Sequence, residues 1–181
     1  MSTRIVPTSI RKVFDGRVFT VQVETVTLPK GGTLQAEVIR HPGSVVIVPV
    51  TEHGRIVLVC QYRHAIGRSA WELPAGSLKP GEDVDAAAVR ECHEEIGLVP
   101  DRIERLGAFF PTPGYCDEEM NFYRASGLRS PRPDERAEQD EDVDIETQAF
   151  ELERLHAMIA AGEIIDLKTV AGLALVARPP A

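Results

Sequence analysis

The chain has 181 residues, 43% hydrophobic and 27% charged, which is enough for one domain with its own core. With 20 Lys and Arg against 28 Asp and Glu the net charge is −8, a balance that argues against a broad nucleic-acid surface. No run of apolar residues is long enough to span a membrane, and Met1–Pro7 lacks the apolar core of a secretory leader. Cys60, Cys92 and Cys116 show no CxxC spacing and fit the reduced thiols of a cytoplasm better than disulfides or a structural zinc.

In chain order, Ile10–Phe14 and Arg17–Leu28 read as strands around the hairpin signal Asp15-Gly16. Pro29-Lys30-Gly31-Gly32 is a turn before a strand at Leu34–Ile39. Val45–Val50 and Ile56–Gln61 are apolar, β-branched runs of the kind found in buried central strands. A short strand at Trp71–Leu73 enters Pro74-Ala75-Gly76, and a helix is expected over Val84–Ile96. Arg105–Phe110 and Met120–Arg124 suggest strands, Gly127–Asp144 a polar loop broken at Pro131 and Pro133, and Ala149–Leu152 a last strand. Leu155–Ala161 and Lys168–Val176 read as helices. Strands dominate and do not alternate with helices, so the class is α+β and not a doubly wound sheet. Neither common glycine-rich phosphate loop is present.

The acidity is uneven. Eight acids and one base lie between Asp134 and Glu146, so this segment carries −7 of the total −8. Such a run is ordinarily a solvated loop; the alternative is a loop that attends a multivalent cation.

The central helix departs from ordinary helix design. Glu82, Asp83 and Asp85 stand near its start, where the macrodipole favours anions, and Gly97 follows its end. Glu91, Glu94 and Glu95 instead crowd its last turns, spaced to lie on one face, where both the dipole and their mutual repulsion oppose them. Val84, Ala88, Cys92 and Ile96 fill the neighbouring arc, so the carboxylates border a packed face. Folding does not ask for this arrangement, whereas a hard divalent cation would favour it. The alternative is an acidic surface helix salt-bridged through Arg90.

The wider spacing runs Gly76, five residues, Glu82, seven residues, then Arg90-Glu91-Cys92-His93-Glu94-Glu95-Ile96-Gly97-Leu98. It resembles the box of the Nudix hydrolases, Gly-x5-Glu-x7-Arg-Glu-U-x-Glu-Glu-x-Gly-U with U a bulky apolar residue. All its fixed positions match, and Cys92 is the one soft substitution, acting as a small hydrophobe. The resemblance implies the Nudix fold, an α/β/α sandwich with a mixed sheet between helices. It also implies two to three Mg²⁺ or Mn²⁺ ions held by Glu91, Glu95, Glu94 and the Ala75 carbonyl. Arg90 would orient a glutamate, Glu82 would support the same network, and Gly76 would allow close backbone approach.

Gln61-Tyr62-Arg63, Trp71-Glu72-Leu73-Pro74-Ala75-Gly76, Pro113 fifteen residues after Leu98, and Gly162–Asp166 with Lys168-Thr169 look like the ADP-ribose pyrophosphatase and nucleoside-diphosphate-sugar branch. That likeness implies Mg²⁺-dependent hydrolysis of ADP-ribose to AMP and ribose 5-phosphate, with GDP-mannose or another nucleotide sugar as the alternative. A third reading is a binding module that senses ADP-ribose without turnover, which the intact glutamates oppose. Residues 1–41 resemble the branch's N-terminal β-strand dimerisation region and 42–181 its hydrolase domain, with the box at 76–98, so a homodimer is expected. Arg63 is suited to bidentate phosphate contact, with a surface arginine at a strand end as the alternative. Pro113 marks the substrate side, while Arg40 and His41 are weaker candidates for substrate contact across a dimer. Glu141 is the best match to the branch's loop glutamate that serves as base, with Asp142 and Asp144 as alternatives in register. Glu94 would be next in line within the box. Trp71, Phe109 and Phe110 are expected in the core, and His64, His93 and His156 at the surface.

Overall fold

A computed structural model of the chain describes residues 5–133, 135 and 145–177. Glu141, Asp142 and Asp144, and with them the assignment of a base in the acidic run, lie outside those residues. Strands β1 (Pro7–Asp15), β2 (Thr20–Thr27) and β3 (Thr33–Arg40) form an antiparallel sheet. Then come β4 (Ser44–Pro49), β5 (Ile56–Arg63), β6 (Arg68–Glu72), β7 (Ala75–Ser77), helix α1 (Val84–Ile96), β8 (Val99–Phe109) and β9 (Met120–Arg129). The described chain closes with β10 (Glu146–Phe150), α2 (Leu152–Ala160) and α3 (Leu167–Val176).

The central sheet has the order β7-β4-β9-β8 and is mixed, because β4 and β9 run parallel while β7 and β8 join antiparallel. β4 explains why the layers form. Every residue from Ser44 to Pro49 is buried, and successive side chains of a strand face opposite ways. Val45 and Ile47 pack with Ala87, Ala88 and Cys92 of α1 and with Tyr123 and Ala125 of β9. Val46 and Val48 pack with Leu58, Leu73, Phe122, Leu155, Met158 and Leu173 on the α2–α3 side. The sheet therefore lies between α1 on one face and α2 and α3 on the other, the sandwich expected from the sequence. A second sheet, β10-β5-β6, adds Ile56 and Leu58 to the α2–α3 core.

The helix expected over 84–96 has those bounds. Asp83 caps it by accepting the Ala86 N–H at 3.0 Å, and Gly97 closes it in the left-handed region with φ 69°. Tyr123 donates to Asp85 at 2.6 Å, pinning the first turn to β9. The N-terminal sheet joins the rest where Ile39 and Cys116 pair and Arg40 meets Asp117. Cys60, Cys92 and Cys116 are all free thiols. No helix among the described residues is long and apolar enough to cross a membrane, which leaves β-barrels unaddressed.

Three expectations need correction. β8 begins at Val99, ahead of Arg105, and β9 runs on through Gly127 to Arg129. Two polar, interrupted segments are held as strands by the ladder between them and not by an apolar pattern of their own. Second, Phe109 and Phe110 are 46% and 51% exposed and so lie outside the core; Phe109 only edges onto Phe122, at 5.7 Å between ring centres. Third, the last strand is Glu146–Phe150 and not Ala149–Leu152, because its ladder is with β5 and Leu152 already opens α2; β7, too short for a period to reveal, sets the start of the box against β4. Trp71 does pack with the core, edge-on to Phe150.

Candidate active site

The end of β5, the short strand β7 and helix α1 build the site. β6 leads through Leu73-Pro74 into β7, and two hydrogen bonds fix this passage. Ile47 donates its N–H to the Pro74 carbonyl at 2.8 Å, and Leu73 donates its N–H to Thr169 Oγ1 at 2.8 Å. Ala75 and Gly76 thereby lie against the last turns of α1. The Ala75 N–H donates to Glu95 at 3.1 Å. A Cβ added to Gly76 would overlap the Glu91 carboxyl group, so the box glycine is required by the closeness of that carboxylate.

Arg90 is the counter-charge of the helix. Its Nε and Nη2 donate to Glu82 at 2.6 and 2.8 Å, and its Nη1 donates to Glu91 at 2.5 Å and Glu94 at 2.6 Å. One guanidinium thus gathers three of the four box carboxylates. Its hydrogen bond holds Glu82 down at about 2. Glu91 is only 6% exposed, and burial pushes its pKa up despite the Arg90 contact. Glu95 lies outside the clamp, and burial, helped by the Glu91 charge, raises it to about 7. Among the described residues no three His, Cys, Asp or Glu stand ready as a cation cage; Arg90 holds the carboxylates that would have to turn toward an ion.

The donor chemistry nonetheless fits a hard divalent cation. Glu91 and Glu95 are carboxylates in surroundings that oppose their charge, beside a glycine with no side chain to bar approach. An ion would relieve the like-charge penalty that the helix carries without one.

Two cavities meet here. One of about 510 Å³ is walled by Arg63, Glu72, Lys168 and Glu118. The other, of about 600 Å³, is walled by Phe19, Arg40, Arg90, Glu91 and Glu95. Arg63, Ala75, Gly76 and Ser77 belong to both. The structure therefore brings Arg63, Gly76, Ala75, Glu91 and Glu95 to one junction, with Glu82, Glu94 and Arg90 behind it. Arg63, the last residue of β5, is half-exposed and donates from Nε and Nη2 to Glu72 at 2.9 and 2.7 Å. Arg40 reaches the second cavity while paired with Glu24 and Asp117. Pro113 sits in an exposed turn closed by the Thr112 carbonyl and walls neither cavity. Glu72 and Lys168 each stand within a motif of the branch with no role of their own, and nothing in sequence shows that a strand glutamate and a helix lysine 96 residues apart meet.

The model of the NUDIX domain matches residues 40–171. The chain is 35% identical to "ADP-ribose pyrophosphatase" of Bacillus subtilis (strain 168), over 87% of this chain and 84% of that one. It is 36% identical to the protein of that name from Mycobacterium tuberculosis, over 87% and 76%. Identity to "Methanol dehydrogenase activator" of Bacillus methanolicus is 38%, over 88% and 85%. A crystal structure of an ADP compounds hydrolase superposes with a TM-score of 0.81 over 96% of this chain and 92% of the other; at 23% identity this likeness speaks for the fold. A match of this extent, resting on a box whose fixed residues stand together in space, places the chain in the Nudix family, as a pyrophosphatase acting on nucleoside diphosphate compounds.

Proposed function

We propose that the protein hydrolyses ADP-ribose to AMP and ribose 5-phosphate with Mg²⁺ or Mn²⁺ as cofactor. The observation that carries this reading is the junction of two cavities at Arg63 and Gly76, with Glu91 and Glu95 beside it. A diphosphate whose two ends both carry bulky groups needs such an arrangement: one end in each cavity and the phosphates at the junction. The names of two relatives favour ADP-ribose among such compounds. Glu91, Glu95, Glu94 and the Ala75 carbonyl would hold two to three ions, which when bound neutralise the diphosphate and acidify a water. Arg63 contributes a cation at the junction, Arg90 keeps Glu91 and Glu94 in place, and the Ala75 N–H orients Glu95.

A panel of ADP-ribose, GDP-mannose and other nucleotide sugars, run with Mg²⁺ or Mn²⁺ and detection of AMP or GMP, tests the assignment. Faster turnover of GDP-mannose would replace the substrate and keep the chemistry. Tight ADP-ribose binding with no turnover would favour a sensing module.

The base is assigned from sequence to Glu141. Glu141→Gln is expected to lower kcat by about 10² with little change in KM, as for a group used mainly in the transition state. Wild-type rates in Glu141→Gln, Asp142→Asn and Asp144→Asn alike would return the role to Glu94.

A homodimer through β1–β3 belongs to the same proposal. Val6, Ile10, Val13, Phe14 and Val18 are exposed on and around the outer hairpin, more apolar surface than a solvated edge carries without a partner. Light scattering at micromolar concentration should give twice the chain mass; a monomer would count against it.

A further inference from the structure

Glu72 and Lys168 stand in the first cavity with no part in the box. The Glu72 side chain is 4% exposed and takes three donors: Arg63 Nε, Arg63 Nη2 and Lys168 Nζ. Burial pushes its pKa up, but the Arg63 fork and Lys168 outweigh this and hold it below the usual carboxylate value. Lys168 is itself only 10% exposed and also lies 3.1 Å from Asp166. It is the second residue of α3, where the helix dipole opposes a cation. The tie between β6 and α3 does not need it, because the Leu73 N–H already bonds Thr169, and Thr169 bonds the capping Asp166 through both its N–H and its hydroxyl. A costly placement that the packing does not require points to the cavity.

The geometry of Arg63 shows what Lys168 can do there. Glu72 grips the guanidinium side-on, through Nε and Nη2, so Nη1 stays outside the fork. Among the described residues, Arg63 is the one charged residue that walls both cavities. Lys168 donates to Glu72 Oε2, the oxygen that also takes Arg63 Nη2, and so restrains the carboxylate while it supplies a second cation on that wall. With Arg63 and Lys168 set against Glu72 and Asp166 the group is neutral; without Lys168 it is anionic. We propose that Lys168 is a positioning residue: by clamping Glu72 it holds Arg63 side-on, with Nη1 available to a phosphate oxygen, and keeps the wall from repelling the anionic substrate. The inference rests on the reading of the junction as the diphosphate site.

The test compares Lys168→Met, Lys168→Arg, Glu72→Gln and the Lys168→Met/Glu72→Gln double variant. KM and kcat are measured for whichever diphosphate the wild type turns over, and Kd is measured for inorganic pyrophosphate by calorimetry. Lys168→Met should raise KM and Kd about tenfold, so that kcat/KM falls chiefly through KM, while Lys168→Arg keeps most of the wild-type affinity. Because Lys168 acts through Glu72, the double variant, whose group is neutral like that of the wild type, should lose less than the product of the two single effects. Should Lys168→Met not fold, Lys168→Gln, which keeps a donor without the charge, takes its place. Wild-type KM and Kd in the Lys168 variant, or single effects that multiply in the double, overturn the inference. A wild type that turns over no substrate but binds pyrophosphate defeats the proposed activity and leaves the Kd comparison to decide Lys168; one that does not bind pyrophosphate overturns the positioning role as well.

Discussion

Glu95→Gln should lose activity by about 10² or more and, freed of metal, should be more stable than the wild type at pH 8. The two effects share a cause. Glu95 is a buried carboxyl beside Glu91, raised to about 7. Its folded pKa lies above the unfolded value, so the stability it contributes is fully present below the unfolded pKa near 4.5. That contribution is lost as pH rises toward 7. The full shift corresponds to roughly 3 kcal/mol, and relaxation and water entry reduce this to about 1–2 kcal/mol. Glutamine removes the charge yet still accepts the Ala75 N–H. Melting curves in chelator at pH 5 and pH 8 check the result: the wild type should lose several degrees across that range and the variant should lose less. Full activity in the variant, or an unchanged pH slope, would falsify the assignment of Glu95 as a carboxylate kept for a cation.

Arg90→Met should be the most damaging single change to the fold around the box. Arg90 is the cation shared by Glu82, Glu91 and Glu94, and its removal leaves three acids facing one another on or beside one helix. Breaking a buried network of this kind costs about 3–5 kcal/mol, less here because Glu82 and Glu94 keep some solvent. Glu82 supplies the pH signature. Its folded pKa is lowered to about 2, so its contribution is present above the unfolded value and lost as pH falls through 2. The variant's deficit should therefore be full at pH 7 and shrink below about pH 4. Urea denaturation at pH 7 and pH 3 measures this. Arg90→Lys should recover only part of the loss, since an ammonium cannot fork to Glu82 while reaching the other two. Equal stability of Arg90→Met and wild type at pH 7 would remove Arg90 from the centre of the network.

Sequence legibility followed how far apart the cooperating residues are. The helix over 84–96 was readable because its cap, its apolar arc and its closing glycine are all local. The box carboxylates were readable because they break local rules. β4 was readable because a strand buried on both faces shows an unbroken apolar run, here from Val45 to Pro49. The far ends of β8 and β9 were not, since each is a strand only by virtue of the other. Phe109 and Phe110 misled because an aromatic pair at the end of a strand looks the same in sequence whether it enters the core or stops at its rim. Arg90 as an organiser of three carboxylates exceeds the single pairing that the motif suggested. The Lys168–Glu72–Arg63 relay joins three elements, and no spacing encodes it.

Cys92 sits one residue beyond Glu91 on the side of α1 that faces Val45 and Ile47, fully enclosed. Burial pushes its thiol up to about 12, so in the closed protein it is neither reachable nor ionised. A thiol reagent can modify it only when the box helix lifts from the sheet. The slow phase of labelling, set apart from the faster Cys60 and Cys116, then measures how often that lifting occurs. The residue that fits the motif least well thus gives the helix its own clock, with no label to engineer and no probe placed among the glutamates.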